Sequence, residues 1–144
     1  MFKHILVPTD GSDITAKAVQ TATTLARTTG AKLSTVSVKE PFPYSAISEM
    51  QPVPPQEFFD AQERIAAGRV KSVIETATAA GLSCSGSTVE ALHPWEAILE
   101  VAEKEGVDLV VMASHGRRGM AALLLGSETQ RVLIHSKLPV LVVK

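Results

Sequence analysis

Val107-Asp108-Leu109-Val110-Val111-Met112-Ala113-Ser114-His115-Gly116-Arg117-Arg118-Gly119 is the stretch whose reading decides the fold. Its first half is a short apolar run and its second half is a polar loop of small and basic residues. A run of this length without polar alternation reads as a strand buried on both faces, here Val107 to Met112. Such a strand needs helices on either side, and the neighbouring sequence supplies them. Upstream, Pro94 to Glu105 carries Ala97, Ile98, Val101 and Ala102 at helical spacing. Pro94 suits a first helical turn, where its missing N–H is not needed, and Gly106 stops the helix. Downstream, a short helix is predicted from Ser127 to Ser136 and a last strand from Pro139 to Val143.

The same unit recurs towards the N-terminus. Ile5-Leu6-Val7 is a buried strand closed by the turn residues Pro8-Thr9-Asp10-Gly11-Ser12. From Asp13 to Arg27, the residues Ala18, Val19, Ala22, Leu25 and Ala26 mark one helical face, ended by Gly30. Leu33 to Val38 is the second strand. From Glu40 to Pro55 the pattern dissolves, because five of the eight prolines fall there (Pro41, Pro43, Pro52, Pro54 and Pro55) and exclude a regular helix or central strand. Phe59 to Ala80 returns to helix, with Val70, Val73, Ile74 and Ala77 inward. Leu82 to Glu90, rich in Ser and Thr, reads as a strand at a sheet edge.

Strands alternating with helices imply an α/β fold: an open, parallel, five-stranded sheet with helices on both faces, in one domain over residues 1–144. The most apolar strands, the first and fourth, are expected at its centre. Ligands of such sheets bind at the carboxyl ends of the strands, where the winding reverses. That directs attention to Pro8–Ser12 and to the loop after Met112.

Composition narrows the function. With 45% hydrophobic and 4% aromatic residues, the core is aliphatic. A net charge of -1 lacks the basic excess that binding a phosphate backbone requires, so no nucleic-acid partner is expected. The single cysteine, Cys84, precludes an internal disulfide and fits a reducing cytoplasm. No apolar stretch approaches the roughly 20 residues that span a bilayer, and Met1 to Pro8 has no signal-peptide pattern. A cytoplasmic location without a membrane partner is the expectation.

Ala113-Ser114-His115-Gly116, continued nine residues later by Gly126-Ser127-Glu128-Thr129-Gln130, combines small residues with a helix start. Small residues allow backbone N–H groups to approach a ligand, and a helix N-terminus adds partial positive charge. Arg117 and Arg118 bring mobile charge, and Ser127 and Thr129 bring hydroxyls. Together they suit a phosphate. The segment lacks the Gly-Lys-Ser/Thr of a P-loop, and no Gly-x-Gly-x-x-Gly follows the first strand. Plainer readings stand beside this one. Ser127 to Gln130 has the spacing of a capping box, with Ser127 as cap. Asp10 can form a turn with Gly11. His115 can serve as a base or merely as a hydrogen-bonding residue. His4, His93 and His135 lack metal-ligand spacing.

The pattern Gly-x-x-Gly, nine residues, Gly-Ser/Thr resembles that of the nucleotide-binding universal stress proteins, with Ala113, Gly116, Gly126 and Ser127 at its positions. Ile5 to Ser12, Asp108 to Met112, Leu123 to Ser127 and Pro139 to Val143 are similar to other segments of that family, and the resemblance covers the whole chain. It implies a Rossmann-like, adenine nucleotide alpha hydrolase-like sheet of strand order 3-2-1-4-5. It also implies ATP as ligand, with or without Mg²⁺. Asp10 would lie near the ribose or a phosphate-bound metal, and Pro8, Thr9 and the backbone of Val38 would border the adenine. Ala113, Ser114, His115, Gly116, Arg117, Arg118 and Gly119, with Gly126, Ser127, Glu128 and Thr129, would wrap the phosphates. The resemblance further implies a homodimer through Val140–Val143 and a role as a stress-response or signalling module. A slow ATPase on the same site and a dimeric interaction protein that binds no nucleotide are the alternatives. Ala113 departs from the family's glycine. If that position requires positive φ, alanine costs about 1–2 kcal/mol; if it requires only a small side chain, alanine costs little.

Overall fold

The computed structural model describes residues 1–43, 55–116 and 124–144. Along them run β1 (His4–Pro8), α1 (Asp13–Thr29), β2 (Lys32–Lys39), α2 (Gln56–Ala79), β3 (Cys84–Glu90), α3 (Pro94–Glu105), β4 (Leu109–Ala113), α4 (Ser127–His135) and β5 (Val140–Val143). The five strands form one sheet in the order β3-β2-β1-β4-β5, and every pairing is parallel. The expected order is therefore the observed one. β1 and β4 are central, and the Ser- and Thr-rich β3 is at an edge.

Two aliphatic layers hold the sheet. Ile5, Val7, Leu33, Leu109 and Val111 point towards α1 and α2, where Ala18, Val19, Ala22, Val73 and Ala77 meet them. Leu6, Val36, Val110 and Met112 point the other way, onto Ile98 and Ala102 of α3 and Val132 of α4. Each fully buried aliphatic side chain contributes about 1.5–3 kcal/mol, and alternation along β1 and β4 spends that burial on both faces. β2 is buried as deeply although it is polar. Thr35 donates to the Val7 carbonyl at 2.7 Å, and Ser34 Oγ lies 3.0 Å from His4 Nε2. Ser37 Oγ is buried and, among the described residues, has no hydrogen-bond partner.

Element boundaries differ from the expected ones where local chemistry intervenes. α2 begins at Gln56, three residues before Phe59, because the extended Pro55 occupies the cap position. The added turn brings Phe58 against Phe42, edge to face, with ring centroids 5.1 Å apart. Phe59 lies 6.4 Å from Phe42. Three of the six aromatic residues are thus gathered where β2 leaves the sheet and α2 returns to it. Pro52 and Pro54 lie outside the described residues. At the opposite end of the sheet, the Asp108 carboxylate accepts the N–H groups of Lys3 and His4 at 2.8 and 3.0 Å, which ties the chain start to β4. Among the described residues, no helix is long and apolar enough to cross a membrane.

Candidate functional site

Parallel pairing brings the carboxyl ends of β1, β2 and β4 to one edge of the sheet. The Thr9 N–H donates to Val36 at 2.9 Å, extending the β1–β2 pairing one residue beyond Pro8. Val38 continues β2 past that point, half-buried and opposite Val89.

Asp10 follows, and its orientation is over-determined. Oδ1 accepts the Ser12 N–H at 2.9 Å and the Thr15 hydroxyl at 2.7 Å. Because the Thr15 proton is committed to Asp10, the 2.8 Å contact between Ser12 Oγ and Thr15 Oγ1 has Ser12 as donor. Ser12 Oγ in turn accepts the Thr15 N–H at 3.3 Å and caps α1. The turn and the first turn of α1 thereby form a closed set of bonds that holds the carboxylate. Its other oxygen faces the loop after β4: a Cβ placed on Gly116 would lie 2.6 Å from Asp10 Oδ2. Glycine at 116 is needed for this approach, which brings the two loops together.

The second half of the edge is sewn to the end of β4. The Ser114 N–H donates to Val143 at 2.8 Å, and the Gly126 N–H donates to Ser114 at 2.7 Å. Thr129 Oγ1, buried, donates to the Ala113 carbonyl at 2.9 Å. A Cβ on Gly126 would lie 3.0 Å from His115 Cα, so this glycine also serves a close approach. His115 Nδ1 is 3.2 Å from Ser114 Oγ. No described residue other than glycine has positive φ, and the Ala113 side chain packs into the layer under α1. Alanine is therefore unstrained at this position.

The expected capping box is not formed. The cap residue of α4 is Gly126, which has no side chain to offer, and Ser127 is already the first helical residue, exposed to solvent. Gln130 Nε2 donates to Leu125 O at 2.8 Å. The box fails because the close fit against His115 places glycine at the cap. The first N–H groups of a helix have no intrahelical partners, and the cap residue of α4 makes no side-chain bond to them. Glu128, in the same turn, bends away: its Oε2 accepts the Trp95 N–H at 2.8 Å.

The edge thus brings together Pro8, Thr9, Asp10, Ala113, Ser114, His115, Gly116, Gly126, Ser127 and Thr129, with Val38 on the adjoining strand. Arg117, Arg118 and Gly119 lie outside the described residues. Ser12, which helps to fix Asp10, was read from the sequence only as a turn residue and Thr15 was not singled out, although a Ser directly before a helix is a visible cap signal. On the α1–α2 side, Thr9, Gly11 and Ser12 line a cavity of 140 Å³ with Arg69 of α2.

Sheet order and meeting loops define an open α/β protein whose crevice lies where the winding reverses, between β1 and β4. The model of the universal stress protein family matches residues 1–144, and the chain belongs to that family. It is 34% identical over 145 residues to a universal stress protein of Thermus aquaticus, covering 100% of both chains. It superposes on the solved structure of MJ0577, a universal stress protein of Methanocaldococcus jannaschii, with a TM-score of 0.84 and 28% identity, covering 100% of this chain and 96% of that one. A universal stress protein solved in complex with cAMP gives a TM-score of 0.70 at 27% identity, covering 99% and 97% of the two chains.

Proposed function

We propose that this universal stress protein binds an adenine nucleotide, ATP with or without Mg²⁺, at the crevice between the β1 and β4 loops, and acts as a stress-response or signalling module. The observation that carries this reading is the start of α4, which has no side-chain cap and is held beside the loop of Ser114 to Gly116. Uncapped N–H groups and the helix dipole favour a phosphate. Asp10, fixed by Ser12 and Thr15, supplies an oxygen acceptor for a ribose hydroxyl or a carboxylate ligand for a phosphate-bound cation. Pro8, Thr9 and the Val38 backbone border the base. Ser114, His115, Gly116, Gly126, Ser127 and Thr129 form the described part of the phosphate end, with Arg117 and Arg118 as its basic complement and Gly119 as a further small residue. The cAMP complex of a family member supports an adenine ligand. Ala113 gives no ground for a lost site, since it is unstrained and points into the core.

A homodimer through β5 completes the proposal. β5 is an edge strand of Val-Leu-Val-Val with Leu141 39% exposed, and an apolar edge is an aggregation hazard unless a second strand covers it. Calorimetry with ATP, ADP and AMP tests the ligand: binding tighter than about millimolar, some 4 kcal/mol, is expected, and its absence refutes the reading. Light scattering at micromolar concentration tests the dimer, and a monomeric mass refutes that part.

A further inference from the structure

We infer that Glu128 is a positioning residue for the phosphate end of the nucleotide: it docks the first turn of α4 onto the first turn of α3 and contacts no ligand itself. The inference rests on the nucleotide reading above. α3 opens without a cap of its own, because His93 precedes it and makes no side-chain cap bond. Pro94 has no N–H, so Trp95 carries the first donor of the helix. Glu128, 33 positions further along the chain, takes that donor at 2.8 Å. A carboxylate at a helix N-terminus also gains from the dipole. Its second oxygen lies 3.7 Å from the Arg131 guanidinium, one turn along α4.

α4 has reason to depend on this tie. It spans nine residues, of which only Thr129 and Val132 are buried. Its far end meets the same partner: the His135 ring stands edge to face against Trp95, with centroids 4.3 Å apart. Trp95 is thus gripped at its backbone by the first turn of α4 and at its ring by the last. The grip at the first turn fixes the N–H groups of Ser127 and its neighbours. It also draws the Glu128 charge towards α3 and Arg131. An acid in the first turn of an anion-binding helix would otherwise oppose the anion.

The test compares Glu128→Ala with Glu128→Gln. A glutamine amide oxygen can accept the same Trp95 N–H without charge. Binding of ATP and of adenosine is measured by calorimetry. Trp95, the single tryptophan, reports the helix contact through its fluorescence without ligand. We expect the alanine variant to keep the wild-type far-UV circular dichroism, to shift Trp95 emission, to bind ATP about tenfold more weakly and to bind adenosine unchanged. The glutamine variant should restore both emission and ATP affinity. An alanine variant that binds ATP as tightly as the parent overturns the inference. So does a glutamine variant as weak as alanine, since the charge itself would then act on the ligand or its cation. Equal loss of ATP and adenosine would mean a general disruption and would also overturn it. Failure of the parent protein to bind ATP removes the nucleotide reading and this inference together, whereas a binding parent with an indifferent alanine variant removes this inference alone.

Discussion

Two of the helices that begin at the carboxyl edge of the sheet, α1 and α4, treat their first turns in opposite ways. α1 is capped by Ser12, whose hydroxyl belongs to a chain running through Thr15 to Asp10. α4 starts at Gly126, with no side-chain cap. One N-terminus is closed by its own cap residue, and the cap residue of the other has no side chain to offer. The difference shows a division of labour between the loops. The β1 side fixes an acid in advance, and the β4 side opens its helix without a side-chain cap. The glycine that opens α4 is there for a steric reason, the 3.0 Å approach to His115, and the missing cap follows from it.

The largest effect should come from separating the two halves. Gly116→Leu places a side chain where Asp10 Oδ2 already lies, 2.6 Å from the new Cβ. Overpacking of this kind costs about 1–3 kcal/mol. Calorimetry should show ATP binding weakened by up to about a hundredfold, and an unchanged affinity would mean that the loops need not meet. A smaller effect is expected on the preorganised side. Thr15→Val keeps the shape and removes the hydroxyl that donates to Asp10 at 2.7 Å. Hydrogen bonds to charged groups are worth about 1.5–3 kcal/mol, so urea unfolding should show a loss near the lower bound. Nucleotide affinity should fall with it as Asp10 loosens. If stability falls while affinity holds, the bond serves α1 and not the site.

The smallest effect on binding should come from the far edge of the sheet. Burial raises the Asp108 pKa, but the backbone N–H donors of His4 and Lys3, together with the nearby His4, outweigh it and hold the carboxyl below its ordinary value. Glu63 is lowered likewise by its hydrogen bonds to Lys39 and Thr88, which outweigh desolvation. A carboxylate with a depressed folded pKa adds stability above its unfolded pKa and loses it as pH falls through the folded value. Unfolding free energy should therefore decline on acidification below the ordinary carboxylate range. Asp108→Asn should flatten part of that decline while leaving ATP affinity at neutral pH unchanged. A loss of affinity in this variant would show that the two edges of the sheet are coupled.

Much of this was legible beforehand because it is written in local patterns. Apolar runs marked β1 and β4, helical spacing marked α1 and α3, and the polar character of Leu82 to Glu90 marked an edge. Gly30 and Gly106 ended their helices as expected, both in the left-handed conformation. The cap of α4 was misread because Ser127 to Gln130 fits a capping box as a string, and the contact that puts Gly126 at the cap comes from His115, eleven residues earlier. Glu128 was placed among the phosphate residues by the resemblance alone, and nothing adjacent in sequence reveals that Trp95 is its partner.

The sequence by itself determined the alternation of strands and helices, the parallel sheet and its two layers of aliphatic side chains, because hydrophobic periodicity is a property of neighbouring residues. Its motifs also determined the family. Only the tertiary structure decided that Ala113 is unstrained, that Asp10 is fixed by Ser12 and Thr15 while facing Gly116, and that Glu128 reaches across to α3. Those outcomes depend on which loops the sheet order brings together, and contacts between segments far apart in the chain leave no periodic signal along it.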